Sequence, residues 1–309
     1  MTKNYRLLPA MALALLVTFT ACNKDKEEPT DNSDQQITHA EDQRVVSKQF
    51  DDLAKEAGLA MESSAAYSGR MQNPPVVICD ASVSFDSTSN PRTITIAYNG
   101  TTACHPGWSR TGTVVLSMPQ GVQWKDAGAT ITATYQDVKL TRSADNKSIT
   151  INGTHTITNQ SGGLLFNLPN LQHVIHTVSS NGMSIKFDDN TTRSWQVARQ
   201  HTYTYNNGAV ATITGTHTSG NLTGIAEWGS NRFGQSFTTS ISQPLVVRQD
   251  CSFRLTSGEV THNGLATTVV KFGLDANGNP TGCPGNGSYY LKLTWTGPNG
   301  NTTSTILPY

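Results

Sequence analysis

Charge is scarce in this chain. Only 14% of its 309 residues are Asp, Glu, Lys or Arg, and the formal net charge is zero. Without a basic excess, the electrostatic footprint of a nucleic-acid binder is missing. Long apolar runs are missing too. The run from Leu7 to Ala21 has about 15 residues, short of the roughly 20 that cross a bilayer as a helix. Cysteines never occur as Cys-x-x-Cys, which argues against a zinc knuckle. No glycine loop follows the phosphate-binding pattern. Gly107-Trp108-Ser109-Arg110-Thr111-Gly112 misses the nucleophile-elbow spacing by one residue. His173 and His176 lack the glutamate of a His-Glu-x-x-His helix and read as loop or strand. Asp275 to Pro280 begins like a calcium loop, but Pro280 stands where glycine is needed and no glutamate closes the loop. That segment, like Asp188-Asp189-Asn190, reads as a turn. No catalytic constellation emerges, so the chain reads as a non-enzyme without a cofactor.

What is present begins with a leader. Lys3 and Arg6 precede the apolar run, which ends in Phe19-Thr20-Ala21-Cys22. This order of charge, apolar run and small residues is that of a secretory signal. Small residues just before a cysteine resemble the lipobox of bacterial lipoproteins, with Phe19 where leucine is usual. The resemblance implies cleavage before Cys22, diacylglycerol on its sulfur and N-acylation. Several acyl chains anchor stably where one is marginal. The membrane is then the partner of Cys22, and the outer membrane the expected location. Loss of Lys3 and Arg6 with the leader leaves a formal charge of about −2.

Four cysteines remain: Cys79, Cys104, Cys251 and Cys283. An even number in an exported chain predicts two disulfides, with three possible pairings. Residues 22–37 are polar and read as a disordered tether. Thr38-His39-Ala40-Glu41 resembles a capping box. Val46, Phe50, Leu53, Ala54 and Ala57 then fall on one helical stripe. The spacing predicts a single amphipathic helix over about 39–63, closed off by Ser68-Gly69. Its expected role is to pack on the β-rich remainder of the chain; binding a partner is the alternative.

Pro74-Pro75 marks a boundary, since neither supplies a backbone donor. Beyond it the apolar period is two. Val77, Cys79, Ala81, Val83 and Phe85 share one face, as do Ile94, Ile96 and Tyr98, and Val114, Leu116 and Met118. Ile131, Ala133 and Tyr135 follow, then Ile149 and Ile151, and Met183, Ile185 and Phe187. Phe237, Thr239 and Ile241, and Tyr289, Leu291, Leu293 and Trp295, complete the set. Asn-Gly pairs at 99–100, 152–153, 181–182, 207–208, 277–278 and 299–300 read as turns. One apolar face per strand predicts antiparallel pairing with a single buried side. The fold class is all-β over 76–309, an antiparallel β-sandwich or a strongly curved sheet, preceded by one amphipathic helix.

Two internal echoes stand out. Cys79 and Cys104, and again Cys251 and Cys283, sit in a pattern of strand, hairpin, strand, cysteine, strand. This predicts the pairs Cys79–Cys104 and Cys251–Cys283, each stabilising by roughly 3–4 kcal/mol in the chain-entropy model. Gly153-Thr154-His155-Thr156 recurs as Gly215-Thr216-His217-Thr218. His155 and His217, with His201, are the candidates for a metal site; equivalent positions in repeated strands are the favoured account, so no metal is expected. His201, Tyr203 and Tyr205 alternate along one strand face. Tyr203 and Tyr205 could stack on sugar rings, although such a row is first of all a core face.

With these features in view, the chain resembles a group of Bacteroidota lipoproteins that share a lipobox, an acidic tether, a short helix and a Thr-rich β domain. The resemblance is carried by Pro91 to Ile96, Cys104, Arg110-Thr111-Gly112, Trp124 to Ala129, Gly153 to Thr156 and Asp250-Cys251. The group has no assigned activity, so it transfers no functional residue. Acidic residues after the lipid cysteine can direct export to the surface in that phylum, and Asn23 to Glu28 resembles such a signal. The expected function is a non-enzymatic binding or envelope-structural module, with an envelope protein or a glycan as partner. A lipid or lipoprotein carrier with an apolar pocket is the alternative. Mass spectrometry of a non-reduced digest is expected to return Cys79–Cys104 and Cys251–Cys283 peptides; a Cys79–Cys283 peptide would contradict the duplicated module.

Overall fold

The computed structural model describes residues 33–69, 78–103, 107–180, 182–264, 266–285, 287–296 and 300–309. The leader, Cys22, residues 22–32 of the tether, Pro74-Pro75, Val77 and Cys104 lie outside the described residues.

Helix α1 spans Ser33–Ser63 and a short α2 spans Ala65–Ser68. The helix thus starts earlier than expected and takes residues 33–37 from the tether. Ser33-Asp34 already offers residue types favoured at a helix start, and Thr38 to Glu41 lies one turn inside.

Sixteen strands follow among the described residues. They are β1 (Ala81–Asp86), β2 (Arg92–Asn99), β3 (Trp108–Met118), β4 (Ala129–Arg142), β5 (Ser148–Asn159) and β6 (Val174–Ser180). Next come β7 (Met183–Phe187), β8 (Thr192–Tyr205), β9 (Ala209–Gly215), β10 (His217–Ser219) and β11 (Leu222–Ser230). The last are β12 (Ser236–Arg248), β13 (Arg254–Asn263), β14 (Thr267–Leu274), β15 (Tyr290–Thr296) and β16 (Thr302–Pro308). All join one sheet in the order β1-β2-β3-β4-β5-β6-β8-β11-β12-β13-β14-β15-β16, and its strand pairs are antiparallel. Long strands serve two partners in turn: β5 pairs first with β7 and then with β6. Gly153 sits at that changeover. Asn152-Gly153 is therefore not a turn but the middle of β5, where a Cβ on residue 153 would come within 2.9 Å of the Met183 backbone.

The helix lies along the strands. On one flank Lys55 Nζ stands 5.2 Å from the Phe253 ring at the start of β13, and His39 bonds His262 at its end over 2.8 Å. On the other flank Glu56 pairs with Arg110 on β3 at 2.8 Å, and Glu41 with Arg142 at the end of β4 at 3.1 Å. The path from β3 to β13 crosses seven strand spacings, roughly 34 Å of flat sheet. A helix with its side chains is only about 10–12 Å across. A flat sheet that wide cannot put both flanks against one helix, so the sheet curls around α1. Of the two architectures expected, the strongly curved sheet is the one observed.

The core is the space between them. Val46, Phe50, Leu53, Ala57, Ala60 and Met61 are at most 1% exposed. They meet the predicted inner faces: Ile94 and Ile96, Val114 and Leu116, Ile131 and Ala133, Ile151 and Ile185. The Phe50 ring packs edge-on against Trp195, with centroids 4.7 Å apart. Among helix residues with described side chains, Ala40, Lys48, Asp51, Lys55 and Leu59 form a narrow exposed stripe. Two more helix acids meet arginines of the sheet: Asp42 with Arg232 at 2.6 Å and Asp51 with Arg199 at 2.7 Å join the two pairs above. The outer strands are less covered; Phe85 on β1 is 46% exposed, and Leu291, Leu293 and Trp295 on β15 are half-buried.

The two cysteine modules form the triplets β1-β2-β3 and β13-β14-β15, near opposite margins of the sheet. Cys251 and Cys283 are disulfide-bonded with Cα atoms 5.1 Å apart. Cys79 is disulfide-bonded as well.

Candidate functional site

At the end of the sheet where α1 begins, the curl leaves a cleft of about 460 Å³. Its walls come from the first turns of the helix (Thr38, Glu41, Asp42), the start of β3 (Trp108) and the β4–β5 turn (Arg142, Lys147). The β7–β8 turn (Asp188, Asp189) and Arg232, after β11, complete them. Val45, Ile149 and Phe187, all buried, make an apolar floor.

Two arginines organise the rim. Arg142 donates from Nη2 and Nε to Asp145 at 2.6 and 2.9 Å, and from Nη1 to Glu41 at 3.1 Å. Arg232 donates from Nη2 and Nε to Asp42 at 2.6 and 2.8 Å, and from Nη1 to Asp189 at 3.1 Å. Its guanidinium also lies 3.6 Å above the Phe187 ring, a cation–π contact. Forked geometry of this kind fixes both partners. Burial raises the Asp42 carboxyl above its ordinary range, against the pull of Arg232. Asp189 is lowered, first by the Thr191 hydroxyl it accepts from. The Arg142 hydrogen bonds hold Asp145 down at about 2. Lys147 and Asp188 are exposed and carry no side-chain hydrogen bond among the described residues. The site therefore offers fixed donors and acceptors above an apolar floor, with the half-buried Trp108 at one side.

Other polar groups are buried deeper and tie the helix to the sheet. Arg110, 2% exposed, is held by Asp80 at 2.6 Å and Glu56 at 2.8 Å. Glu227, also 2% exposed, accepts from Trp195 Nε1 at 2.9 Å, from Ser47 at 2.8 Å, and from Arg199 and Gln43.

The residues singled out in the sequence do not converge. His155 lies on the inner face of β5 between Phe50 and Tyr135. His217 is half-buried on the short β10, stacked on Trp228 at 4.0 Å. His201 faces His176 across β8 and β6, and its Nδ1 lies 3.2 Å from the Tyr203 hydroxyl. The echo of Gly-Thr-His-Thr is thus not structural equivalence. Tyr203 is half-buried beside His176, and only Tyr205, 49% exposed at the strand end, is open to solvent. Among the described residues, the one cluster of metal-type ligands is Asp250 with Cys251 and Cys283, whose sulfurs are already bonded to each other. The Asp275 segment is a turn in which Asp275 accepts from the Asn277 and Asn279 amides, both at 2.9 Å.

Sequence reasoning missed the cleft. Glu41 was visible only as the end of a capping box, and Asp188-Asp189 only as a turn. The arginines that meet Glu41 and Asp42 stand 101 and 190 residues away, and the one that meets Asp189 stands 43 away, separations no local pattern reports. No protein-family model, curated protein or solved structure matches the chain.

His155 gives a test of the interior. It is 1% exposed, neither ring nitrogen has a hydrogen-bond partner among the described residues, and burial pushes its pKa down to about 3. A histidine depressed in the fold but ordinary in the unfolded chain contributes fully above about 6.5 and loses that contribution as pH falls toward 3. The loss is about 1.4 kcal/mol per pH unit within that window. His155→Leu is expected to leave the thermal midpoint at pH 7.5 equal or higher and to flatten its fall between pH 6 and 4. Denaturation curves with an unchanged or steeper fall would contradict this assignment.

Proposed function

We propose that the protein is a non-enzymatic binding module of the cell envelope, anchored in the outer membrane by lipid on Cys22. The observation that carries this reading is the occupied inner face of the sheet. A carrier of lipids or lipoproteins needs that apolar surface for cargo. Here Val46, Phe50, Leu53, Ala57, Ala60 and Met61 of the chain's own helix fill it. What remains open is a small cleft at the end of the sheet, with a charged rim over an apolar floor.

The cleft suits binding better than hydrolysis. A glycosidase needs two carboxylates free to act on either side of a bond. Asp42 and Asp189 share Arg232, and Glu41 is engaged by Arg142. The disulfide between Cys251 and Cys283 suits an oxidising compartment. The order of charge, apolar run and small residues before Cys22 supports export with lipidation. The cell surface and the periplasmic face are both open to a protein so anchored.

Metabolic labelling with a palmitate analogue tests the anchor. The wild-type protein is expected to take up label and to fractionate with outer membranes. Cys22→Ser is expected to lose the label and leave the membrane fraction. An unlabelled wild type, or a Cys22→Ser protein that stays in the membrane, would sink the reading.

A further inference from the structure

We propose that the cleft at the start of α1 is a saccharide site that takes a neutral sugar, a mono- or disaccharide or the end of a longer glycan. The inference rests on the binding-module reading and names its ligand class. Three features point to it.

The first is charge. Three cations line the cleft, Arg142, Lys147 and Arg232, against four carboxylates, Glu41, Asp42, Asp188 and Asp189. Both guanidinium groups are already committed to carboxylates at 2.6–3.1 Å. An anionic ligand would have to displace a carboxylate from a forked ion pair, leaving Lys147 as the one cation of the lining outside such a pair. A cationic ligand would find Glu41, Asp42 and Asp189 each engaged by an arginine, leaving Asp188 as the one acid of the lining outside such a pair. A neutral polyol meets neither penalty, because its hydroxyls both donate and accept.

The second is preorganisation. The ion pairs hold acceptor and donor atoms in place before a ligand arrives, which lowers the ordering cost of binding. Asp42 is clamped by Arg232 while Asp189 accepts from Thr191 at 2.5 and 2.9 Å. Asp188 and Lys147 add an acceptor and a donor that are exposed.

The third is the aromatic wall. Trp108 is half-buried and lines the cleft beside the floor of Val45, Ile149 and Phe187. A sugar ring has apolar C–H faces and a hydroxyl edge, and so matches an indole beside fixed polar atoms. The volume, about 460 Å³, falls in the range of about 300–1,000 Å³ usual for small-ligand sites. This cleft lies at the opposite end of β8 from Tyr205, the exposed one of the two tyrosines that the sequence offered as an alternative sugar platform.

Isothermal titration of the detergent-solubilised full chain tests the inference, with maltose, cellobiose, lactose and N,N′-diacetylchitobiose as probes and glucuronate and inorganic phosphate as anionic controls. At least one neutral disaccharide is expected to bind with a millimolar or tighter Kd. Trp108→Ala is expected to weaken it at least tenfold. Asp188→Asn, an exposed substitution outside the core, is expected to weaken it about threefold or more with no change in thermal midpoint. Silence with all four neutral probes would overturn the inference, as would binding that survives both substitutions. Binding of glucuronate or phosphate alone, lost in Trp108→Ala, would overturn the sugar assignment while leaving a binding module in place. The palmitate result bears on the anchor alone, so the two failures are separable.

Discussion

The structure depends on the burial of one helix by a sheet that curls around it. Neither element has a core of its own. A sheet with one apolar face needs that face covered, and most of a helix's stability in a protein comes from packing its apolar stripe. Six α1 side chains from Val46 to Met61 are at most 1% exposed. At about 1.5–3 kcal/mol for each large one, they contribute on the order of 10 kcal/mol before ordering costs are counted. The curl that makes this contact also decides where the molecule is open. It closes over the middle of the helix and leaves the cleft at its start.

The second constraint is electrostatic. An amphipathic helix ordinarily turns its charges to water. In α1 that outlet is narrow, and Glu41, Asp42, Asp51 and Glu56 instead meet Arg142, Arg232, Arg199 and Arg110. Where these pairs are largely buried, as at Arg110–Glu56 and Arg232–Asp42, a desolvation cost offsets much of the attraction, so their effect is on geometry more than on net stability. Each pair links one helix turn to one place in the sheet. Sliding the helix by a turn would part all four acids from their arginines. The two outermost pairs, at Glu41 and Asp42, double as the rim of the cleft, so register and binding surface are set by the same contacts.

Much of the fold was legible in the sequence because its signals are local. Period-two runs marked the inner faces of β2 to β5 and of β7, and the stripe through Val46, Phe50 and Leu53 marked the helix face. The cysteine spacing anticipated the Cys251–Cys283 bridge and the triplet of strands around it. Other features escaped for physical reasons. Asn152-Gly153 has the composition of a turn, but its glycine serves close strand approach where β5 changes partners. His155 and His217 share a motif yet lie in different surroundings, since β10 is a three-residue strand and β5 a long central one. The helix start was placed too late because a capping-box pattern sat one turn inside it. The cleft was illegible because the ion pairs that bring helix and sheet together there join residues far apart in the chain.

The most direct test is native-state hydrogen exchange across α1 and the strands it contacts. If the helix is the core around which the sheet closes, amides from Val45 to Met61 should exchange only with global unfolding, at the free energy shown by the central residues of β4 and β5. Exchange of the helix at a much lower free energy, with those strands still protected, would show that the sheet stands without it and would contradict the account.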